Sequence, residues 1–187
     1  MIKFIYGTMN SGKTVHLIKT YEIYKRKQLN PVIIKPKVDD REGLFVGWGT
    51  TKSRLMDKTV PAYYYGNILD AVKLDCKTIL VDEAQFMSKK DVNYLITYAN
   101  EVGIDVIAFG LKTDINGNLF EGSSAWISMA DELKEIENIC EISGCTCKAN
   151  YHNRYINGKR DVFGKSVMID KGDVSYKSVC YKHWREI

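Results

Sequence analysis

Short apolar runs rich in β-branched and aromatic residues alternate along this chain with segments whose apolar positions recur every three or four residues. Ile2–Tyr6, Val32–Lys35, Thr78–Val81 and Ile104–Gly110 are runs of the first kind and predict buried strands. Leu17, Tyr21 and Tyr24 mark one face of a helix over 12–27, with Lys19, Lys25, Arg26 and Lys27 elsewhere around it. A short helix is expected at 68–73. Val92, Leu95, Ile96 and Ala99 line one face of another over 88–101, and a last one is expected over 123–135. Strands and helices alternating on this scale imply an α/β fold, a mainly parallel sheet with helices on both faces and ligands above the carboxyl ends of its strands. The loops after Tyr6, Lys35, Val81 and Phe109 are therefore expected to converge on one site.

Two regions break the rhythm. Pro36 closes the second strand, and from Lys37 to Ser53 the chain is rich in Gly, Thr and Ser with no clear period. A loop this long beside a phosphate site reads as a functional lid, with Arg41 available to phosphate and Asp39 to a metal or its water; the plainer reading is a solvated surface loop. Val60–Tyr65 reads as an edge segment of the sheet. The last quarter has one strand-like run, Lys165–Ile169, among Tyr, Gly, Lys and Asp residues. The chain is accordingly expected to divide into a nucleotide-binding α/β domain over 1–139 and a small lobe over 140–187.

The first strand runs into Gly7-Thr8-Met9-Asn10-Ser11-Gly12-Lys13-Thr14, which satisfies G-x-x-x-x-G-K-[ST] with a strand before it and a helix after it, the context this phosphate-binding loop requires. Gly7 and Gly12 let the backbone curl until successive N–H groups and the positive helix end face phosphate oxygens. Lys13 can follow the β- and γ-phosphates, and the Thr14 hydroxyl suits Mg2+. A plain glycine turn before a helix would need neither residue. The strand Thr78–Val81 ends in Asp82 and Glu83, the form in which a P-loop (phosphate-binding loop) enzyme presents its metal-associated acid. Asp82 suits magnesium, directly or through water. Glu83, one residue on and expected to point the other way, suits a general base; the bland alternative is a helix cap.

Composition adds limits. At 187 residues, with 45% hydrophobic and 27% charged positions, the chain is long enough for one proper core. It has no apolar run of membrane-spanning length and starts directly in a strand, which predicts a cytoplasmic protein with no membrane partner. The net charge of +4 comes without a basic run, so nucleic acid is an unlikely partner. In such a compartment the cysteines near the end read as metal ligands before disulfides. Cys180 and His183 form a C-x2-H pair, and two of Cys140, Cys145 and Cys147 can complete a tetrahedral Zn2+ site, structural because no candidate acid or base stands beside it in sequence. Free buried cysteines are the other reading.

In order along the chain, the phosphate loop is followed by Lys35-Pro36-Lys37-Val38-Asp39-Asp40-Arg41, Asp82-Glu83-Ala84-Gln85-Phe86, Gly110-Leu111-Lys112-Thr113-Asp114, Leu119-Phe120-Glu121-Gly122 and Cys180-Tyr181-Lys182-His183. This series resembles the type II, zinc-containing thymidine kinases over nearly the whole length. The resemblance implies transfer of the γ-phosphate of ATP to the 5′-hydroxyl of thymidine, and of deoxyuridine, in nucleotide salvage, with Mg2+ accompanying ATP. It makes Glu83 the base and Arg41 and Lys13 stabilisers of the transferring group. Gln85, Phe86, Leu111, Ile115, Phe120 and Tyr176 become the thymidine pocket, and Cys140, Cys145, Cys180 and His183 the zinc ligands, Cys147 being spare. It implies a lasso loop over the base, a homotetramer, and dTTP as a candidate feedback inhibitor. The chain departs from the family where an aromatic residue usually follows the Gly-Leu-x-Thr-Asp run, which here is Ile115, and in Ile169-Asp170-Lys171-Gly172, one residue longer than usual. A reading from another class is a P-loop ATPase or nucleic-acid-binding module whose zinc lobe is the contact surface.

Overall fold

The computed structural model describes residues 1–37, 46–53, 56–162 and 174–186. Asp39, Arg41, the strand-like run Lys165–Ile169 and Ile169-Asp170-Lys171-Gly172 lie outside the described residues.

Seven strands build the main sheet: β1 (Ile2–Gly7), β2 (Pro31–Pro36), β3 (Gly47–Lys52), β4 (Thr59–Tyr65), β5 (Thr78–Val81), β6 (Asp105–Gly110) and β7 (Glu132–Ile136). Their order is β3-β4-β2-β5-β6-β1-β7. Every pairing is parallel except that of β3 with β4. Side-chain alternation divides the sheet's apolar residues between two layers. Ile5, Ile33, Leu80, Ile107 and Phe109 face α1 (Lys13–Arg26) through Leu17, Ile18 and Tyr21. Phe4, Ile34, Ile79, Val81, Val106 and Ala108 face α2 (Ile68–Ala71), α3 (Lys89–Val102) and α4 (Glu121–Met129) through Ile68, Val92, Leu95, Ala99 and Trp126. Helix α3 starts where the Ser88 hydroxyl accepts the Asp91 N–H and stops at left-handed Gly103, φ 73°. No helix among the described residues is long and apolar enough to cross a membrane.

Four expectations change. The irregular stretch up to Ser53 contains β3, an antiparallel edge strand with Trp48 half-exposed; its Gly and Thr residues carry no apolar period, so pairing with β4 alone makes it a strand. Val60–Tyr65 is thereby interior, between β3 and β2, and its Pro61 is tolerated because β4 joins β2 only from Tyr63 onward. The helix expected over 123–135 ends at Met129, and the polar run Glu132–Ile136 returns as β7 beside β1, outermost in the sheet, where one strand edge needs no cover. Finally, β5 stops at Val81, so Glu83 does not alternate with Asp82 on a strand: it leaves in the left-handed region at φ 53°, ψ 41°.

The last quarter forms a second sheet, β10-β8-β9, from β8 (Tyr151–Ile156), β9 (Lys159–Asp161) and β10 (Val174–Val179), followed by α5 (Tyr181–Arg185). Asn157 and Gly158, both at positive φ, turn β8 into β9; this Asn-Gly pair is the hairpin signal that hydrophobic periodicity overlooks. Arg154 is fully buried and paired to Asp161, its Nε donating at 2.9 Å.

One close approach fixes α4 against the segment that follows β5. A Cβ on Gly122 would lie 2.6 Å from the carbonyl oxygens of Ala84 and Met87 and 2.9 Å from that of Gln85. Gly122→Ala is expected to cost about 1–3 kcal/mol through forced backbone displacement, read as a lower midpoint of urea denaturation; an unchanged midpoint would show that the segment can move.

Candidate functional site

The loop that follows β1 is shaped by two left-handed residues, Asn10 at φ 59° and Gly12 at φ 84°, which turn the chain into α1. The first turn of α1 holds no acidic residue, so its positive end is uncompensated. Lys13 folds back over the loop and its Nζ donates to the Thr8 carbonyl at 2.7 Å. Burial lowers its pKa to about 8, against the opposing pull of Glu83 and Asp82. The buried Ser11 hydroxyl finds no partner among the described residues, an orphaned group that a phosphate oxygen would satisfy. The residues present thus fit a nucleotide phosphate.

Two strands away, past β6, the carboxyl end of β5 presents the acids. Asp82 is buried and held on both oxygens: Oδ2 accepts the Thr51 hydroxyl at 2.7 Å and lies 4.0 Å from Lys35 Nζ, and Oδ1 accepts the Glu83 N–H at 3.1 Å. Burial, then the Glu83 charge, pushes its pKa up, against Lys35 and Thr51. The left-handed backbone of Glu83 leads into a single 3-10 turn, Ala84–Phe86, that brings Gln85 round beneath its carboxylate. The Gln85 Nε2 donates to Glu83 Oε2 at 2.7 Å while its Oε1 accepts the Leu111 N–H at 3.0 Å. Gln85, only 2% exposed, thus carries the Glu83 carboxylate as one unit with the loop after β6.

Phe86 and Phe120 meet edge to face, ring centroids 5.8 Å apart, and the Leu111 carbonyl accepts the Ser123 hydroxyl. Ile115 is buried and its carbonyl accepts the Trp184 indole N–H at 2.9 Å. Tyr176 lies on β10 opposite Arg154. The structure therefore gathers Lys13, Asp82, Glu83, Gln85 and Leu111 at the carboxyl edge of β5, β6 and β1, with Phe86 and Phe120 packed together. Ile115 and Tyr176 sit on the segments that reach the second sheet. Sequence reasoning missed Thr51, which comes from the unforeseen strand β3 and belongs to no motif, and it named Lys35 only as part of a motif without its pairing to Asp82.

Cys140, Cys145, Cys180 and His183 form a separate cluster, their ligand atoms all within 4.8 Å of one another. His183 Nδ1 is 3.3 Å from both Cys140 Sγ and Cys180 Sγ, and Cys145 Sγ is 3.9 Å from Cys180 Sγ. Three thiols and an imidazole at these separations can hold one tetrahedral metal ion, a donor set that suits zinc. The hydrogen bond from the His183 main chain is the largest of the effects that bring the Cys180 thiol down to about 7, whereas burial pushes Cys140 up. Cys147 is exposed and outside the cluster.

A sequence model described as thymidine kinase matches residues 1–184. The chain belongs to the thymidine kinase family. The thymidine kinase of Streptococcus thermophilus strain CNRZ 1066 is 36% identical over 187 residues, covering 97% of this chain and 91% of its own. That of Lactiplantibacillus plantarum is 35% identical, covering 97% of this chain and 93% of its own. That of Enterococcus faecalis strain ATCC 700802 / V583 is 36% identical, covering 97% and 92%. Among solved structures, a DNA replication initiation factor aligns at TM-score 0.45 and 15% identity over 72% of this chain and 39% of that one, too loosely to carry an argument.

Because the cluster has one donor set and Cys147 stands apart, Cys147→Ser is expected to keep one bound metal per chain and Cys145→Ser to lose most of it. Metal content after gel filtration, by mass spectrometry of the ion, checks this; equal loss in both would move the ligand set.

Proposed function

We propose that this member of the thymidine kinase family transfers the γ-phosphate of ATP to the 5′-hydroxyl of thymidine, and of deoxyuridine, in nucleotide salvage. The observation that carries the reading is the placing of Glu83 at the end of β5, its carboxylate held by Gln85 and within the electrostatic reach of Lys13. The 5′-hydroxyl gives its proton to Glu83, its oxygen attacks the γ-phosphorus, and the bond to the bridging oxygen breaks to release ADP. Gly7, Thr8, Met9, Asn10, Ser11, Gly12, Lys13 and Thr14 cradle the donor phosphates. Thr14 and Asp82 would hold the Mg2+ that accompanies ATP, which when bound would neutralise charge on the phosphates. Arg41 and Asp39, outside the described residues, are assigned to the transferring group and the metal.

Gln85 has both ends of its amide engaged within the protein, which adds a positioning role for Glu83 to its place in the nucleoside pocket with Phe86, Leu111, Ile115, Phe120 and Tyr176. The Cys140, Cys145, Cys180 and His183 cluster takes a structural Zn2+. We further assign a domain division at 139/140, a homotetramer and feedback inhibition by dTTP to this reading.

Transfer of labelled γ-phosphate from ATP to each of the four deoxynucleosides, with a no-acceptor control, tests it. Label on thymidine is expected; release only as free phosphate whatever the acceptor would leave an ATPase. Glu83→Gln should lower kcat about a hundred- to ten-thousandfold with ATP affinity retained, and parallel loss of both would remove the base assignment. The lowered pKa of Lys13 sets a pH window: its charge is complete well below about 8 and lost above it. Affinity for ATP, measured by calorimetry, should hold up to that pH and then decline by up to about tenfold per pH unit, a step expected to vanish in Lys13→Arg.

A further inference from the structure

The second sheet grips the phosphate loop through both main-chain groups of one residue, Met9. The Met9 N–H donates to His152 Nε2 at 3.0 Å, and the Met9 carbonyl accepts the Ser178 hydroxyl at 2.6 Å and Asn138 Nδ2 at 3.2 Å. The next side chain is held as well, Asn10 Nδ2 donating to Glu141 Oε1 at 3.1 Å. The other Glu141 oxygen accepts the Ser178 N–H, also at 3.1 Å, so these contacts form one connected network. Asn10 lies in the left-handed region, which Asn enters more readily than other residues with a side chain but which still gains from support by its surroundings. Bonds to the Met9 N–H, to the Met9 carbonyl and to the Asn10 side-chain amide supply that support.

His152 is the least replaceable part of the grip. It is 3% exposed on β8, and besides accepting the Met9 N–H its ring faces the Thr113 main chain, in the loop that follows β6. An imidazole that accepts at Nε2 is the Nδ1–H tautomer, so one neutral ring stands between two loops and is bonded to the first at Nε2. Burial, with the Lys13 charge added, lowers its pKa to about 4 and keeps it neutral. Nothing in the transfer step itself uses His152, nor does the metal cluster.

We propose that His152 is a positioning residue for the donor site: through the Met9 amide it sets the curve of the phosphate loop, and so makes ATP affinity depend on the C-terminal lobe. This rests on the reading of Gly7–Thr14 as the ATP site. The side-chain lengths of the possible replacements isolate the Met9 contact. Gln reaches to about the Nε2 position and can accept from Met9, whereas Asn stops near Nδ1 and cannot.

ATP dissociation constants by calorimetry, and KM for ATP and for thymidine, would be measured for His152→Ala, His152→Asn, His152→Gln and Ser178→Ala, with metal content and melting temperature alongside. We expect about a tenfold weaker ATP interaction in the Ala and Asn variants and near-restoration in Gln. Ser178→Ala should give a smaller change in the same direction. The bound metal should stay within twofold of the parent protein, and KM for thymidine at saturating ATP should rise less than KM for ATP, Thr113 lying between the pocket residues Leu111 and Ile115. Unchanged ATP affinity in His152→Ala would overturn the proposal, as would a Gln variant no better than Ala. So would a common loss of ATP affinity, thymidine affinity and metal, which marks a merely structural residue. Failure of the parent protein to bind ATP at all would instead remove the donor-site reading beneath it.

Discussion

The parallel pairing of β6 with β1 on one side and β5 on the other is the constraint from which the site follows. In register, Tyr6 lies opposite Gly110 and Val81 opposite Ala108, so three chains leave the sheet at nearly the same height and on the same edge. Parallel strands need both faces covered, and α1 on one side with α2, α3 and α4 on the other provide that cover. What remains open is the carboxyl edge, where the phosphate loop, the acidic turn and the Leu111 loop emerge side by side.

At that edge the protein accepts local costs that its core can sustain. Glu83 and Asn10 both occupy left-handed backbone, Asp82 is a buried carboxylate, and Lys13 sits at a pKa well below its ordinary range. Each is stabilised by specific partners instead of by solvent: Thr51, Lys35 and the Glu83 N–H for Asp82, Gln85 for Glu83, and the Thr8 carbonyl for Lys13. On the reading proposed above, a site so arranged would hold phosphates and a hydroxyl in place, which is most of what phosphoryl transfer asks of a protein.

The C-terminal lobe has a small apolar nucleus. Cys140, Val179 and Cys180 are buried together, with Ile142, Cys145, Tyr151 and Trp184 partly covered around them. A core of that size rarely stands alone; the Arg154 pairing with Asp161 cross-links it, and the Cys3His cluster can hold a metal ion beside it. From this anchored base, His152 and Ser178 reach the phosphate loop, and Trp184 stacks on Tyr151 at 4.5 Å while its indole holds the Ile115 carbonyl. The candidate metal ligands and the residues that hold the phosphate loop therefore belong to one small lobe.

Much of this was legible in the residues themselves. The strands β1, β2, β5 and β6 and helices α1 and α3 are long or apolar enough for periodicity to declare them. The phosphate loop, the Asp82-Glu83 pair and the Cys180/His183 pair are chemical patterns whose spacing is local. The strands β3, β7, β8, β9 and β10 escaped because they are polar or lie at the edge of a sheet, so their hydrogen-bonding partners, and not their own apolar rhythm, make them strands. Thr51, Lys35, His152 and Ser178 escaped for the same reason at the level of side chains: each acts on a residue between 31 and 169 positions away. The amino-acid sequence by itself determined which groups could bind phosphate, move a proton or ligate a metal, since those capacities belong to residue types at short spacing. Only the tertiary structure decided which backbone each group is held against, because long-range pairing, and the burial it brings, has no signature in any one stretch of the chain.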